Sequence, residues 1–186
     1  MLFMNGFNSQ ILSQNLFSGA DSFSMMAVPF FILAGEFMNR GGITKRIVNA
    51  ANAMVGHVRG GLGYVSILAI LLFASMVGSA VASTAALGAI LIPMMVRAGY
   101  NRDKSTGLIA AGNILSPIMP PSVPMIIFGV QASVSVTSLF MAGIAPAVYL
   151  SASLCILWFF VAKKDKLPTA PRQSRRQVVK SLTDGF

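Results

Sequence analysis

Charged side chains are so sparse in this chain that the gaps between them outline its elements. Ser22 to Gly35 carries none, and the run continues to Arg40 with Glu36 as its one charge. Gly60 to Val96 is charge-free over 37 residues, and Ser105 to Ala162 over 58. A membrane-spanning helix needs about 20 apolar residues. The first run therefore predicts one span over 22–40. The last predicts two, 105–130 and 139–162, joined by a turn near Gln131 to Ser138.

The middle run fits neither one span nor two. It is interrupted by the small, partly polar segment Gly78 to Thr84, which leaves about 18 residues before the break and about 12 after it, closed by Pro93 and Arg97. At 1.5 Å per residue the second arm is too short to cross about 30 Å of hydrocarbon. A re-entrant helical hairpin over 60–96 is expected, entering and leaving on one face. Charge placement agrees. With that hairpin, all 14 Lys and Arg residues fall on one side, while Met1 to Asp21 and Gln131 to Ser138 on the other carry none. By the positive-inside rule the basic side is cytoplasmic. Residues 1–21 then form an external segment, 22–164 the membrane region and 165–186 a basic cytoplasmic tail.

Composition narrows the class. Hydrophobic residues make up 55% and charged ones only 10%, with a mean hydropathy of +0.73. Soluble domains carry about 25% charged residues. The net charge of +9 would elsewhere point to nucleic acid. Here the basic residues flank apolar runs, so the bilayer is the expected partner and nucleic acid is not. One cysteine and one histidine exclude a disulfide scaffold and a multi-thiolate or His-based metal site. Gly60-Gly61-Leu62-Gly63 is no dinucleotide fingerprint, since no strand precedes it and a glycine is missing. No carboxylate or histidine lies within the apolar runs Gly60 to Val96 and Ser105 to Ala162 to serve Ser79 or Ser83 as a base. An enzyme is not expected, nor any cofactor.

Two places put irregular backbone at membrane depth, where it is tolerated only inside protein or along a watery cavity. One is the tip, Gly78 to Thr84. The other is Asn113 to Pro124, whose Pro117, Pro120, Pro121 and Pro124 cannot continue one helix. The span should break into half-helices, one ending near Ser116 and one starting near Pro121 or Ser122. Carbonyls at a half-helix C-terminus can coordinate Na⁺, and N–H groups at an N-terminus attract an anion. Ser79, Ser83 and Thr84 offer hydroxyl oxygens and Asn113 a carbonyl oxygen. The pattern points to an ion-coupled transporter of an anionic solute. Plainer readings stand beside it: close helix packing for the small residues, a structural kink for the prolines. Glu36 is a functional candidate by its membrane position, or one half of an i,i+4 ion pair with Arg40. His57 reads as a solvated loop residue, and Met76, Met94, Met95, Met119 and Met125 as packing.

Several segments carry a resemblance. Val28–Glu36, Gly41–Ile43, Val58–Gly63, Gly78–Gly88, Ile92–Met94, Gly99-Tyr100, Pro120–Gly129 and Leu139–Pro146 are similar, in order, to the large permease subunit of tripartite ATP-independent periplasmic (TRAP) transporters, the DctM type. The resemblance implies a bacterial inner-membrane, Na⁺-driven importer of C4-dicarboxylates or sugar acids. It works with a small membrane subunit and a periplasmic substrate-binding protein. The implied fold is all-α: half of an inverted-repeat elevator-type transporter, with one re-entrant hairpin and one Pro-broken helix. By the same analogy Gly78, Ser79, Asn113, Ser116 and Pro117 would hold Na⁺, and Ser83, Thr84, Pro121 and Ser122 would contact substrate. Many members carry an acidic residue where this chain has Ser83. The family's first spanning helix and second repeat have no counterpart within the 186 residues, so a fragment not competent alone is expected. The rival readings are a non-transporting anchoring or assembly subunit and a channel with a re-entrant filter loop.

Overall fold

The computed structural model describes residues 13, 14, 17, 23–165 and 167, and among them every regular element is helical. Most of the expected external segment 1–21 and tail 165–186 lies outside the described residues. In chain order come α1 (Phe23–Arg40), α2 (Ile43–Val55), α3 (Gly61–Val77), α4 (Ala80–Arg97), α5 (Arg102–Gly112), a 3-10 turn (Asn113–Leu115), α6 (Val123–Gln131) and α7 (Val136–Lys164).

Helix α3 is apolar on every side, with Val65, Ile67, Ala69, Ile70, Phe73 and Ala74 all buried. Such a helix needs neighbours all round, and α1, α2, α4, α5 and α7 supply them. Amphipathic α2 turns Thr44, Val48 and Ala51 onto it and keeps Lys45 and Arg46 outside.

Helices α3 and α4 form a hairpin. Gly78 ends α3 in the left-handed region (φ 62°), its N–H on the Ala74 carbonyl. Ser79 starts α4 at once, its Oγ accepting from the Ala82 N–H at 3.4 Å. Two connecting residues force α4 back along α3, and at the open end the Ser66 hydroxyl lies 3.4 Å from the Met95 sulfur. Ser83, Leu87, Leu91 and Met95, four apart, form the buried stripe.

The second arm departs from the expected length. It runs 18 residues instead of about 12, because the Ser79 cap makes the small residues at 80–84 helical and Pro93 stays inside the helix. A proline in that position removes one ladder bond without ending the helix when the flanking turns are packed. At about 27 Å the arm is long and apolar enough to cross a membrane, as is α7. The hairpin therefore rests on the Ser66–Met95 closure and the tight tip, not on a short arm.

Three glycines and a tryptophan build the foot of the hairpin. The Trp158 Nε1–H donates to the Gly60 carbonyl at 2.9 Å, and its ring stacks on Tyr100 at 6.2 Å with the planes 2° apart. A Cβ on Gly63 would lie 1.9 Å from that indole, and one on Gly61 2.1 Å from the Gly56 carbonyl oxygen. The Gly-Gly-Leu-Gly motif is thus a platform for Trp158, since small residues let helices approach closely where lipid replaces water. Lys104 pairs with Asp165 beside it.

Helix α5 leaves the foot capped by Asn101, whose Oδ1 accepts from the N–H groups of Asp103 and Lys104. It tightens at Asn113–Leu115, and helix resumes only at Val123. After α6, α7 returns over 29 residues with just Gly143, Ala147, Trp158 and Ala162 buried. Met141, Tyr149, Ile156, Leu157, Phe159 and Phe160 are exposed on it. An apolar outer surface of this extent has lipid as its natural solvent.

Candidate functional site

The two irregular places meet. A Cβ on Gly78 would stand 3.1 Å from the Val123 nitrogen and 3.2 Å from the Pro121 oxygen and the Ser122 Cα, so the tip touches the backbone of the break directly. The turn at Asn113–Leu115 packs against both arms of the hairpin. From the other side α7 approaches through Gly143, where a Cβ would lie 2.6 Å from the Ile118 oxygen. Glycine is required at Gly78 twice over, by its positive φ and by this contact.

Among the described residues three buried side-chain oxygens have no hydrogen-bond partner: Ser83 Oγ, Asn113 Oδ1 and Ser116 Oγ. Leaving such a group unpaired costs about 1–3 kcal/mol, so a water, an ion or a polar group is the natural partner of each. Asn113 donates Nδ2 to the Ile109 carbonyl at 2.8 Å, which commits its nitrogen and leaves Oδ1 unpaired. All three are hard, neutral oxygen donors, the chemistry that suits a cation such as Na⁺. No group of three or more His, Cys, Asp or Glu side chains among the described residues can hold a metal.

The remaining candidates are engaged locally. Ser79 accepts from Ala82, and the Thr84 hydroxyl donates to the Ala80 carbonyl at 2.7 Å. Ser122 occupies the N-cap position of α6, yet its hydroxyl donates to the Pro117 carbonyl at 2.6 Å and makes no side-chain cap. That bond ties the two sides of the break together, and it leaves the first N–H groups of α6 without a side-chain cap.

Beside the tip lies a cavity of about 780 Å³. The tip residues Gly78–Ala82 form one wall, with Phe73 and Val77 below and Pro117, Val123 and Pro124 across from them. The last wall is one face of α1, Ile32, Gly35, Glu36, Asn39 and Arg40. Arg40 Nε donates to Glu36 Oε1 at 2.7 Å, so the i,i+4 pair forms, and it forms on the cavity wall. Sequence reasoning did not include this face in the site. The 32, 35, 36, 39 spacing with a central glycine was the available signal, because those offsets align on one side of a helix.

The chain matches the family described as "Tripartite ATP-independent periplasmic transporter, DctM component" over residues 1–186. It belongs to the DctM family. DctM relatives include the 2,3-diketo-L-gulonate TRAP transporter large permease protein YiaN of Escherichia coli, 49% identical over 186 residues, all of this chain and 44% of that protein. The sialic acid TRAP transporter large permease protein SiaM of Vibrio cholerae is 42% identical, again over all of this chain and 44% of its own. The C4-dicarboxylate TRAP transporter large permease protein DctM of Pseudomonas aeruginosa is 40% identical over 89% of this chain and 39% of its own. The chain thus spans less than half the length of these DctM relatives. By name all three are large permease proteins of TRAP transporters.

Proposed function

We propose that the chain is the part of a TRAP permease that carries a cation site and one wall of a carboxylate cavity in a Na⁺-coupled bacterial uptake system. The observation that carries this reading is the set of three buried, unpartnered oxygens, Ser83 Oγ, Asn113 Oδ1 and Ser116 Oγ, where the hairpin tip meets the broken helix. Na⁺ satisfies them, with Gly78, Ser79 and Pro117 contributing backbone or hydroxyl oxygens nearby. The cation's charge, with the N–H groups at the starts of α4 and α6, favours a carboxylate in the adjacent cavity, near Thr84, Pro121 and Ser122. Sodium and solute then bind cooperatively, and both are released when the site changes sides.

In this reading the hairpin is re-entrant in the inner membrane, its foot and the basic residues around it, Arg59, Arg97, Arg102 and Lys104, facing the cytoplasm, while Arg40 lies beside the tip. A small membrane subunit and a periplasmic substrate-binding protein complete the system, and the remainder of the permease completes the site. The solute is a C4-dicarboxylate or a sugar acid. The test is Na⁺-dependent uptake by the complete permease in proteoliposomes. Ser83→Ala and Asn113→Ala each raise the Na⁺ concentration for half-maximal uptake about tenfold or more, as expected when a ligand to a charged group is lost. Uptake that ignores Na⁺, or variants with unchanged Na⁺ dependence, would overturn the reading.

A further inference from the structure

The cavity lining holds two ionisable side chains, Glu36 and Arg40, both from α1. The segments that form its other walls lie within Gly60 to Val96 and Ser105 to Ala162, which carry no charge at all. An anion entering the cavity therefore meets one full positive charge there, on Arg40. That guanidinium has five N–H donors, and its Nε is engaged by Glu36. The side chains are 79% and 54% exposed, so the pair is weakly held and open to exchange. A pair serving only to stabilise α1 would do so on any face of the helix. This one lies on the face turned to the hairpin tip, with Asn39 next to Arg40; the Asn39 Oδ1 accepts from the Thr44 hydroxyl at 2.8 Å and its amide nitrogen remains as a donor.

We propose that Arg40 is the anion-recognition residue of the cavity, that Glu36 occupies it while the cavity is empty, and that the carboxylate of the solute displaces Glu36. This rests on the reading of the chain as part of a carboxylate permease. It assigns charge selection to α1, opposite the hairpin, and leaves the cation to the tip. A planar guanidinium binds a carboxylate through two parallel N–H bonds, which an ammonium cannot reproduce. Glu36 acts as an internal competitor, so removing its charge strengthens solute binding.

The experiment measures uptake of 2,3-diketo-L-gulonate, N-acetylneuraminate and succinate by the complete permease with its companion subunits, with Na⁺ titrated in parallel. Arg40→Gln raises KM for the transported acid about tenfold or more and leaves kcat within about twofold. Arg40→Lys falls between the two, and Glu36→Gln lowers KM. The Na⁺ dependence is unchanged in all three, which separates this role from the cation site. An Arg40→Gln KM equal to wild type, beside normal wild-type uptake, overturns the assignment and leaves the permease reading standing. A Glu36→Gln KM raised as far as that of Arg40→Gln also overturns it, because the pair would then be acting as a helix brace. Absence of Na⁺-driven uptake of all three acids by the wild type removes the permease reading and this assignment with it.

Discussion

The foot and the tip of the hairpin are built on opposite rules. At the foot, Trp158 lies against Gly63, donates to the Gly60 carbonyl and stacks on Tyr100, while Lys104 meets Asp165. Polar groups there are paired and backbones are in contact. At the tip the backbone contact is as close, between Gly78 and Pro121 to Val123, yet three buried oxygens beside it are unpaired. Equal packing with unequal pairing separates a joint from a site. The foot gains stability from what it contains; on the proposed reading, the tip gives some up for what it binds.

Trp158→Ala should have the largest effect. It removes the indole from between Gly63 and Tyr100 and costs about 3–5 kcal/mol, seen as a fall in thermal unfolding temperature in detergent. Gly78→Ala comes next, at about 2 kcal/mol. It forces a side chain into φ 62° and against the Val123 nitrogen, and it should disturb Na⁺-dependent uptake as well as stability. Ser83→Ala and Ser116→Ala should move the other way in Na⁺-free buffer, gaining about 1 kcal/mol each as an unpaired buried hydroxyl is removed. The same variants should lose the rise in unfolding temperature that Na⁺ produces in the wild type. Destabilisation by these variants in Na⁺-free buffer would erase the distinction between the two ends.

Two smaller effects sharpen the foot. Burial raises the Tyr100 phenol above its ordinary 10.0, opposed by a hydrogen bond with the Leu62 backbone that lowers it. The fold thus favours the neutral phenol. Its contribution is complete below pH 10.0 and is lost as pH climbs through the folded value. Wild type should lose stability above that pH more steeply than Tyr100→Phe, in unfolding temperatures measured across the alkaline range. Lys104→Ala should cost least, about 0.2–1 kcal/mol, because the pair with Asp165 is part-exposed. Added salt should reduce that difference.

What could be read from the chain alone was local. The Gly78-Ser79 reversal and the proline break announce themselves within a dozen residues, because glycine, serine and proline act on the backbone where they stand. The Glu36–Arg40 pair was legible for the same reason. Its place on a cavity wall was not, since that depends on how α1 docks against a hairpin far along the chain. Nor could the Gly60-Gly61-Leu62-Gly63 motif be understood without Trp158, 98 residues beyond Gly60. The length of α4 was misjudged because a proline's effect depends on the neighbours that hold the flanking turns, and Pro93 has them. Oxygen-rich composition at the tip and break was visible. That Ser83, Asn113 and Ser116 would be sealed without partners is a property of the packing.

Helix α7 touches both ends. Its Trp158 and Ala162 are seated at the foot and its Gly143 at the break, 15 residues and about 22 Å apart on one unbroken element. Pro146 removes one ladder bond between the two points, so displacement passes along the helix with a bend available near Gly143. If the foot slides against its surroundings, α7 carries the break with it, and the hairpin, closed at Ser66–Met95, moves as one piece with both. The cavity wall on α1 is reached from this body through the two-glycine joint at Gly41-Gly42, where φ is 81° at Gly42. That joint sets the angle at which the arm bearing Arg40 lies against the hairpin tip.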